Sequence, residues 1–238
     1  MGPYNSLNLG YTTSDYKQKV LKNRIKFLEA LNADVFGGIQ AGQVHGSEIK
    51  IVRSKISESG ILVPGDCLSD TDGLITDKIG LLLAGTFADC VPLYFYDPEK
   101  KVVAITHAGW KGTKENIASK TVKILSKEKE SKLENIKVII GPSIGRCCYE
   151  VGDEVYEEFK AFDFYNEIFS KGGKKYKLDL WLTNKIQLEQ AGIRPENVLV
   201  SEICSGCYND FLFSYRKEKG ETGRMMGAIM LNSEKNAF

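Results

Sequence analysis

The hydrophobic positions of the chain change from helical spacing near the N-terminus to short runs typical of strands. Apolar residues recur every three or four positions between residues 14 and 32, which predicts a helix capped by Ser14 or Asp15. Its apolar positions are Leu21, Ile25, Leu28 and Leu31. Short β-branched or apolar runs bounded by glycine, aspartate or proline then predict strands over residues 35–40, 49–52, 73–76, 81–85, 92–96 and 102–106.

Helices and strands alternate in the second half of the chain. Residues 97–100, Asp-Pro-Glu-Lys, predict a turn between two paired strands. Helices are predicted over 113–126, 153–159 and 178–191, and strands over 136–140, 198–201, 211–215 and 228–231. No linker, repeat or low-complexity segment interrupts the pattern, so we expect one α/β domain over residues 1–238.

Composition narrows the classes of function. With 238 residues, 42% of them hydrophobic, the chain can bury a full core and does not need disulfide bonds to stabilise it. A net charge of +1 gives no global field for nucleic acid or anionic membranes, so any charged ligand needs a local site. The apolar runs are too short to span a bilayer, and the first residues do not resemble a secretion signal. We therefore expect a soluble, cytoplasmic protein.

Two histidines and one cysteine are the strongest candidates for chemistry. His45 and His107 are the only histidines of the chain, and Cys90 lies between them in sequence. All three fall at predicted ends of strands and so can meet at one rim of a sheet. Two imidazoles and a thiolate leave one tetrahedral position free, as a catalytic zinc requires. Taken singly, a buried free cysteine or a histidine with one satisfied ring nitrogen is equally ordinary.

Five further cysteines are expected to be reduced thiols, because the chain lacks an export signal and has a large core. Cys204 and Cys207 form a C-x-x-C pair, and Cys147 and Cys148 are adjacent. A structural zinc needs a second pair of ligands, and no other C-x-x-C or histidine remains. The C-x-x-C pair is therefore interpreted as small buried residues or an incidental redox pair.

Several segments, in order along the chain, resemble the multicopper polyphenol oxidase-like family, also called purine nucleoside phosphorylases or peptidoglycan editing factors. They include Gly-Pro-Tyr-Asn-Ser-Leu-Asn-Leu-Gly at 2–10, Gln-Val-His-Gly at 43–46, Asp-Gly-Leu-Ile-Thr at 72–76, Ala-Asp-Cys-Val-Pro at 88–92 and His-Ala-Gly-Trp-Lys-Gly-Thr at 107–113. Further matches are Gly-Pro-Ser-Ile-Gly at 141–145, Cys-Tyr-Glu-Val-Gly at 148–152, Phe-Ser-Tyr-Arg at 213–216 and Thr-Gly-Arg at 222–224.

This resemblance implies a fold, a metal and a set of activities. The fold is an α/β layered sandwich of mixed sheets covered by helices, similar to the deamidase domain of cytotoxic necrotising factor toxins. One zinc per chain is held by His45, Cys90 and His107, and copper is a weaker alternative. The implied activities are phosphorolysis of adenosine, inosine and methylthioadenosine, and deamination of adenosine. Family members usually carry a strand ahead of the 2–10 segment, so an edge strand and a substrate contact are expected to be missing.

Other residues are candidates for substrate chemistry. Asp89 is the candidate for proton transfer, with capping of a turn or orientation of a ligand as an equal alternative. Lys111, in a glycine-rich turn ahead of the helix predicted to open at Thr113, is the candidate for phosphate, against a simple tight turn. Arg216 and Arg224 are further phosphate candidates, although each is also typical of a solvated surface.

Stacking and the remaining contacts complete the candidate site. Tyr4, Trp110 and Tyr215 could stack on a purine, although aromatics are more often core. Asn8 and Gln43, which lie in the matching segments, are taken as substrate-binding residues.

The sequence therefore predicts a zinc-dependent purine nucleoside phosphorylase and adenosine deaminase, monomeric or a small homo-oligomer. True laccase chemistry is excluded by counting, because a multicopper oxidase needs about eight histidines by family comparison and this chain has two. The alternatives are a hydrolase or amidase that uses Cys90 and His107 on peptidoglycan precursors, and a metal-binding accessory protein without turnover. The hydrolase needs a free Cys90 thiolate, whereas zinc would occupy it.

Overall fold

A computed structural model describes residues 2–34, 38–55, 59–173 and 175–232. The helices are α1 (Lys17–Ala30), α2 (Trp110–Lys114), α3 (Ile117–Glu128), α4 (Asp153–Phe159), α5 (Tyr165–Ile168) and α6 (Leu180–Gln190). The strands are β1 (Gly38–Gln40), β2 (Ile49–Ile51), β3 (Gly73–Thr76), β4 (Leu82–Phe87), β5 (Val91–Asp97), β6 (Val102–Ala108), β7 (Lys137–Ile140), β8 (Glu150–Val151), β9 (Phe169–Gly172), β10 (Lys175–Leu178), β11 (Val198–Val200) and β12 (Met225–Ile229).

The largest sheet is mixed and has the strand order β11-β7-β5-β6-β3-β2. Its centre is the antiparallel hairpin of β5 and β6. Asp97 closes that hairpin, since its Oδ1 accepts the amide hydrogens of Glu99 at 2.9 Å and Lys100 at 3.1 Å. The turn predicted at 97–100 is thus confirmed. Parallel pairs, β11 with β7 and β2 with β3, form the two edges.

Alternate residues of β6 face two different cores, as the twofold repeat of a strand requires. Val102 and Ala104 pack with α3 and α6 on one face of the large sheet. Val103 and Ile105 pack on the other face against a second sheet of order β1-β4-β12. Helix α1 covers the outer side of that second sheet through Leu28. The predicted layered α/β sandwich of mixed sheets and helices is confirmed.

Local departures from the predicted helices have identifiable causes. Helix α1 begins later than predicted because the Asp15 carboxylate accepts from the Asn8 side chain and the Tyr16 amide, and neither Ser14 nor Asp15 caps the helix. The helix predicted over 113–126 is two helices, separated where Asn116 adopts φ 60°. Of the strand predicted at 35–40, residues 35–37 lie outside the described residues.

The strand predicted at 211–215 is wrong. This segment forms consecutive turns, with the amides of Leu212 and Glu218 donating to carbonyls four residues earlier. The aromatic residues Phe211, Phe213 and Tyr215 alternate as in a strand with one buried face, but Phe211 is 88% exposed.

The small sheet β8-β10-β9 was not predicted, because its strands are short and rich in lysine. Within the described residues, no helix has the length and apolar character needed to cross a membrane.

Candidate metal centre

His45, Cys90 and His107 come from three segments that meet where the two sheets pack together. His107 lies near the end of β6, on the face that carries Val103 and Ile105. Cys90 immediately precedes β5, which pairs with β6, and His45 follows β1 in a loop. The candidate ligand atoms of the three side chains all lie within 4.8 Å of one another. The structure therefore brings together the three residues that the sequence singled out.

Asp72, which sequence reasoning missed as a site residue, fixes the two histidine segments. Its carboxylate is fully buried. Oδ1 accepts from the His45 amide at 3.0 Å and bonds the Nδ1 of His107 at 2.8 Å, while Oδ2 accepts from the Gly46 amide at 2.7 Å. A carboxylate on one ring nitrogen orients the other nitrogen toward a metal. The available signal was an aspartate directly before a buried strand, within a matching segment.

Two glycines allow the ligand segments to approach each other. A Cβ on Gly109 would lie 3.1 Å from the Cys90 sulfur and 3.4 Å from a ring carbon of His45. A Cβ on Gly112 would lie only 2.6 Å from the carbonyl oxygen of Gly46. The glycines at 109 and 112 thus serve close packing of α2 against the loop that holds His45.

Cys90 and His107 form a charged pair even without a metal. Burial would raise the pKa of the Cys90 thiol, but the charge of His107 and hydrogen bonds from both histidines outweigh it and lower the pKa to about 6. Burial would lower the pKa of His107, but the Cys90 sulfur and Asp72 raise it to about 9. Near neutral pH the sulfur is therefore already the thiolate that a soft metal ion binds.

The three candidate ligands lie in the wall of a cavity of about 490 Å³, which is within the size range of small-molecule sites. Its lining also carries aromatic and basic groups: Trp110, Tyr149, Tyr215, Arg216 and Arg224. The Arg216 guanidinium lies 5.0 Å from the Tyr149 ring and donates to the Glu150 carbonyl. Arg224 donates to two carbonyls of its own segment and lies 5.6 Å from the Tyr215 ring.

Asp89 also lines the cavity, next to Cys90. It is 7% exposed and adopts φ 87°, a conformation that costs a non-glycine residue about 1–3 kcal/mol. Its Oδ1 accepts from the Ser205 hydroxyl and its Oδ2 from the Arg216 amide, both at 2.6 Å. Asp89 therefore joins the cavity wall to the segment that carries Arg216.

Gln43 and Asn8, which were predicted to bind substrate, form hydrogen bonds with backbone groups. Gln43 lies in the cavity wall, but its amide is paired with Thr86, donating to the carbonyl and accepting from the amide, each at 2.7 Å. Asn8 is fully buried and does not line the cavity. Its Oδ1 accepts from the amides of Gly10 at 3.0 Å and Arg224 at 2.9 Å.

The glycine-rich turn differs from the expected anion pocket. Helix α2 begins at Trp110, so the amide of Thr113 is not free but donates to the Gly109 carbonyl at 2.8 Å. Lys111 is exposed, lies outside the cavity lining, and holds its ammonium 5.6 Å from the Trp110 ring. Among the aromatic candidates Trp110 and Tyr215 line the cavity, and Tyr4 does not. Tyr149, which does line it, was missed.

The chain is similar in sequence to known proteins. A family model described as multi-copper polyphenol oxidoreductase laccase matches residues 1–232. Purine nucleoside phosphorylase YlmD of Bacillus subtilis is 35% identical over 229 residues, which cover 95% of this chain and 82% of that protein. The protein of the same name from Geobacillus stearothermophilus is 36% identical over 231 residues, covering 96% of this chain and 84% of that protein.

Solved structures show the same fold. The crystal structure of the hypothetical protein YfiH from Bacillus licheniformis superposes with a TM-score of 0.93 and 38% identity, covering 98% of this chain and 88% of that one. YlmD from Geobacillus stearothermophilus gives a TM-score of 0.93 at 35% identity, covering 98% and 87%. With a family model over nearly its whole length and relatives named purine nucleoside phosphorylase, the chain belongs to the multi-copper polyphenol oxidoreductase laccase family.

Proposed function

We propose that this chain is a zinc-dependent purine nucleoside phosphorylase that also deaminates adenosine. One observation carries the proposal: two imidazoles and a thiolate converge in the wall of a cavity that also presents aromatic rings and two arginines. The names of the relatives give the same class of reaction. These groups support the binding of a purine, a phosphate and a Lewis acid in one place.

Zinc fits the ligand set better than a copper cluster does. His45, Cys90 and His107 supply two nitrogens and one sulfur, a combination that occurs in catalytic zinc sites. Asp72 holds Nδ1 of His107 and leaves Nε2 for the metal. When bound, zinc would supply a Lewis acid. The chain has no further histidine for a trinuclear copper cluster.

The arginines are the proposed phosphate ligands. Guanidinium groups present paired donors that match phosphate oxygens. Arg216 and Arg224 are held by carbonyl groups and lie beside tyrosine rings, so they lose little freedom when phosphate binds. Lys111 adds positive charge outside the cavity and supports Trp110. We expect Arg216→Ala to raise the KM for phosphate more than Lys111→Ala does.

Asp89 is the proposed proton carrier. In phosphorolysis it takes a proton from the attacking phosphate and returns it to the departing purine nitrogen. In deamination it takes a proton from the attacking water and gives it to the leaving amino group. Trp110, Tyr149 and Tyr215 hold the purine by stacking.

Asp89→Asn tests this role against mere support of the Arg216 segment. If Asp89 carries the proton, kcat falls about 10²-fold or more while the KM for phosphate changes little. Ser205→Ala is the matched control, because it removes one hydrogen bond to Asp89 and keeps the carboxylate. Equal losses in both variants would show that Asp89 only positions its neighbours.

Product analysis tests the whole proposal. Zinc-loaded protein is incubated with adenosine, with and without inorganic phosphate. Ribose 1-phosphate and adenine that form only with phosphate support phosphorolysis, and inosine formed without phosphate supports deamination. Stoichiometric zinc with neither product would leave a metal-binding accessory protein as the correct description.

One observation favours a second candidate, a cysteine hydrolase. The lowered pKa of Cys90 beside the raised pKa of His107 describes a thiolate–imidazolium pair, which is a competent nucleophile and acid. The zinc enzyme needs the Cys90 sulfur bound to the metal, whereas the hydrolase needs it free as a nucleophile. A chelator should abolish the zinc enzyme but activate the hydrolase, for which glutamine and peptidoglycan peptides are suitable substrates.

A further inference from the structure

A second cluster of sulfur atoms lies outside the cavity lining. The Sγ atoms of Cys147, Cys148, Cys204 and Cys207 all lie within 4.8 Å of one another. Cys147 is 3.3 Å from Cys207 and 3.5 Å from Cys204, and Cys148 is 3.5 Å from Cys207. These separations far exceed a disulfide bond of about 2.05 Å. They approach the separation of about 3.8 Å that follows from four sulfurs arranged tetrahedrally at 2.3 Å around zinc.

Two loops are shaped to bring the sulfurs together. One follows β7 and carries Cys147 and Cys148, and the other follows β11 and carries Cys204 and Cys207. They are joined by a parallel bridge between Ser143 and Cys204. The structure therefore places Cys147 and Cys148 beside the C-x-x-C pair, a proximity that the spacing of the cysteines does not predict. Cys204 is buried as expected, but Cys207 is exposed.

Polar and charged groups of the neighbouring chain lie beside the sulfurs. The amide of Gly145 donates to the Cys204 sulfur at 3.2 Å. A Cβ on Gly206 would lie 2.8 Å from the Cys148 Cβ and 3.0 Å from its sulfur, so only glycine allows the two loops to close around the cluster. Lys177 adds a positive charge beside the loop, where it donates to the Cys147 carbonyl at 3.0 Å.

We propose that these four cysteines bind a structural zinc ion, separate from the ion at His45, Cys90 and His107. All four positions are filled by protein sulfur, as in closed structural sites. The ion replaces the thiol protons, which pass to solvent, and no sulfur is oxidised. The expected metal content thus rises from one zinc per chain to two.

The proposed ion would hold parts of the cavity wall. Tyr149, which lines the cavity, directly follows the ligand Cys148. Ser205, whose hydroxyl donates to Asp89, lies between Cys204 and Cys207. The zinc would therefore fix both loops behind the cavity, and its loss should loosen the contact between Ser205 and Asp89.

Metal analysis of the full chain, purified in reductant and loaded with zinc, tests the proposal without reference to activity. Cys207→Ser and Cys147→Ser are suitable variants because both side chains are exposed, and Cys67→Ser is the matched control because Cys67 belongs to neither cluster. Cobalt loading gives a second readout. We expect one metal ion fewer per chain and a large loss of sulfur-to-cobalt absorption in the two variants, and neither change in the control.

Several results would overturn the proposal. Zinc content that is the same in wild type and both variants would exclude the site. A mass lower by two hydrogens per cysteine pair, unchanged by zinc, would identify disulfides instead. Iron with acid-labile sulfide at this cluster would identify an iron–sulfur centre. Metal content and cobalt absorption at the cysteine cluster do not depend on whether Cys90→Ala turns over adenosine. The cysteine cluster and the cavity site are therefore tested independently.

Discussion

At the scale of single residues, Asp72 has the most demanding role because one carboxylate fixes both histidine segments. Asp72→Ala should lower zinc affinity at the cavity by about 10- to 100-fold, the effect of losing a carboxylate that orients a ligand. It should also destabilise the fold by about 1–3 kcal/mol through unpaired buried donors. Competition with a chromophoric chelator measures the first effect and thermal unfolding the second.

Asp97→Ala is the matched control for Asp72→Ala. Asp97 is equally buried and accepts two amides, but it does so at the turn between β5 and β6. The Asp97→Ala variant should be less stable than the wild type but should bind zinc with the same affinity. Equal affinity loss in both variants would mean that general destabilisation, and not orientation of His107, explains the effect. If Asp72→Ala does not fold, Asp72→Asn provides the same comparison.

The lowered pKa of Cys90 predicts a pH dependence for the metal-free protein. Because the thiolate reacts and the thiol does not, alkylation of Cys90 by iodoacetamide should rise with pH and reach half its maximum near pH 6. Burial and neighbouring thiols raise the pKa of Cys148 to about 11, so Cys148 should stay unmodified near neutral pH. Peptide mass spectrometry at each pH separates the two residues.

His107→Gln removes the charge that chiefly lowers the pKa of Cys90. The alkylation profile should then move toward the usual thiol range, near pH 8.5. An unchanged profile in this variant, or a wild-type midpoint near pH 8.5, would contradict the proposed thiolate–imidazolium pair.

Residue type and predicted strand ends made His45, Cys90 and His107 candidates, and the resemblance to the family gave them as one ligand set. Neither signal could predict Asp72, since an aspartate before a strand is ordinary until its three donors are seen. Nor could spacing show that Cys147 and Cys148 face a C-x-x-C pair from more than fifty residues away.

At the scale of elements, the close approach of α2 to the loop of His45 depends on Gly112. In Gly112→Ala the new Cβ meets a backbone oxygen at 2.6 Å, which no side-chain rotation relieves. We expect a loss of about 1–3 kcal/mol in stability and weaker zinc binding at the cavity, with zinc at the cysteine cluster retained. Gly2→Ala, which meets nothing within 4 Å, is the control.

Thermal unfolding and metal content of the two glycine variants check this prediction. Wild-type stability in Gly112→Ala would show that α2 does not pack as described. The sequence located this turn but misplaced its helix, because a five-residue helix has too few positions for periodicity to define its start.

At the scale of the whole molecule, the sequence predicted most strands of the two main sheets because their buried faces leave clear apolar runs. It could not predict how distant segments meet. Asn8 connects the first residues to Arg224 through one amide group, and Asp89 connects the start of β5 to Ser205 and Arg216. Such polar contacts leave no periodic signal, although they decide which side chains line the cavity.

The most direct test of the central claim is zinc titration of the chelated full chain, with adenine and ribose 1-phosphate measured from adenosine and phosphate. Both products should appear as the His45, Cys90 and His107 site fills, and they should be absent in Cys90→Ala but present in Cys67→Ala. Turnover by the chelated protein, or equal turnover by Cys90→Ala, would contradict a zinc-dependent phosphorylase built on these three residues.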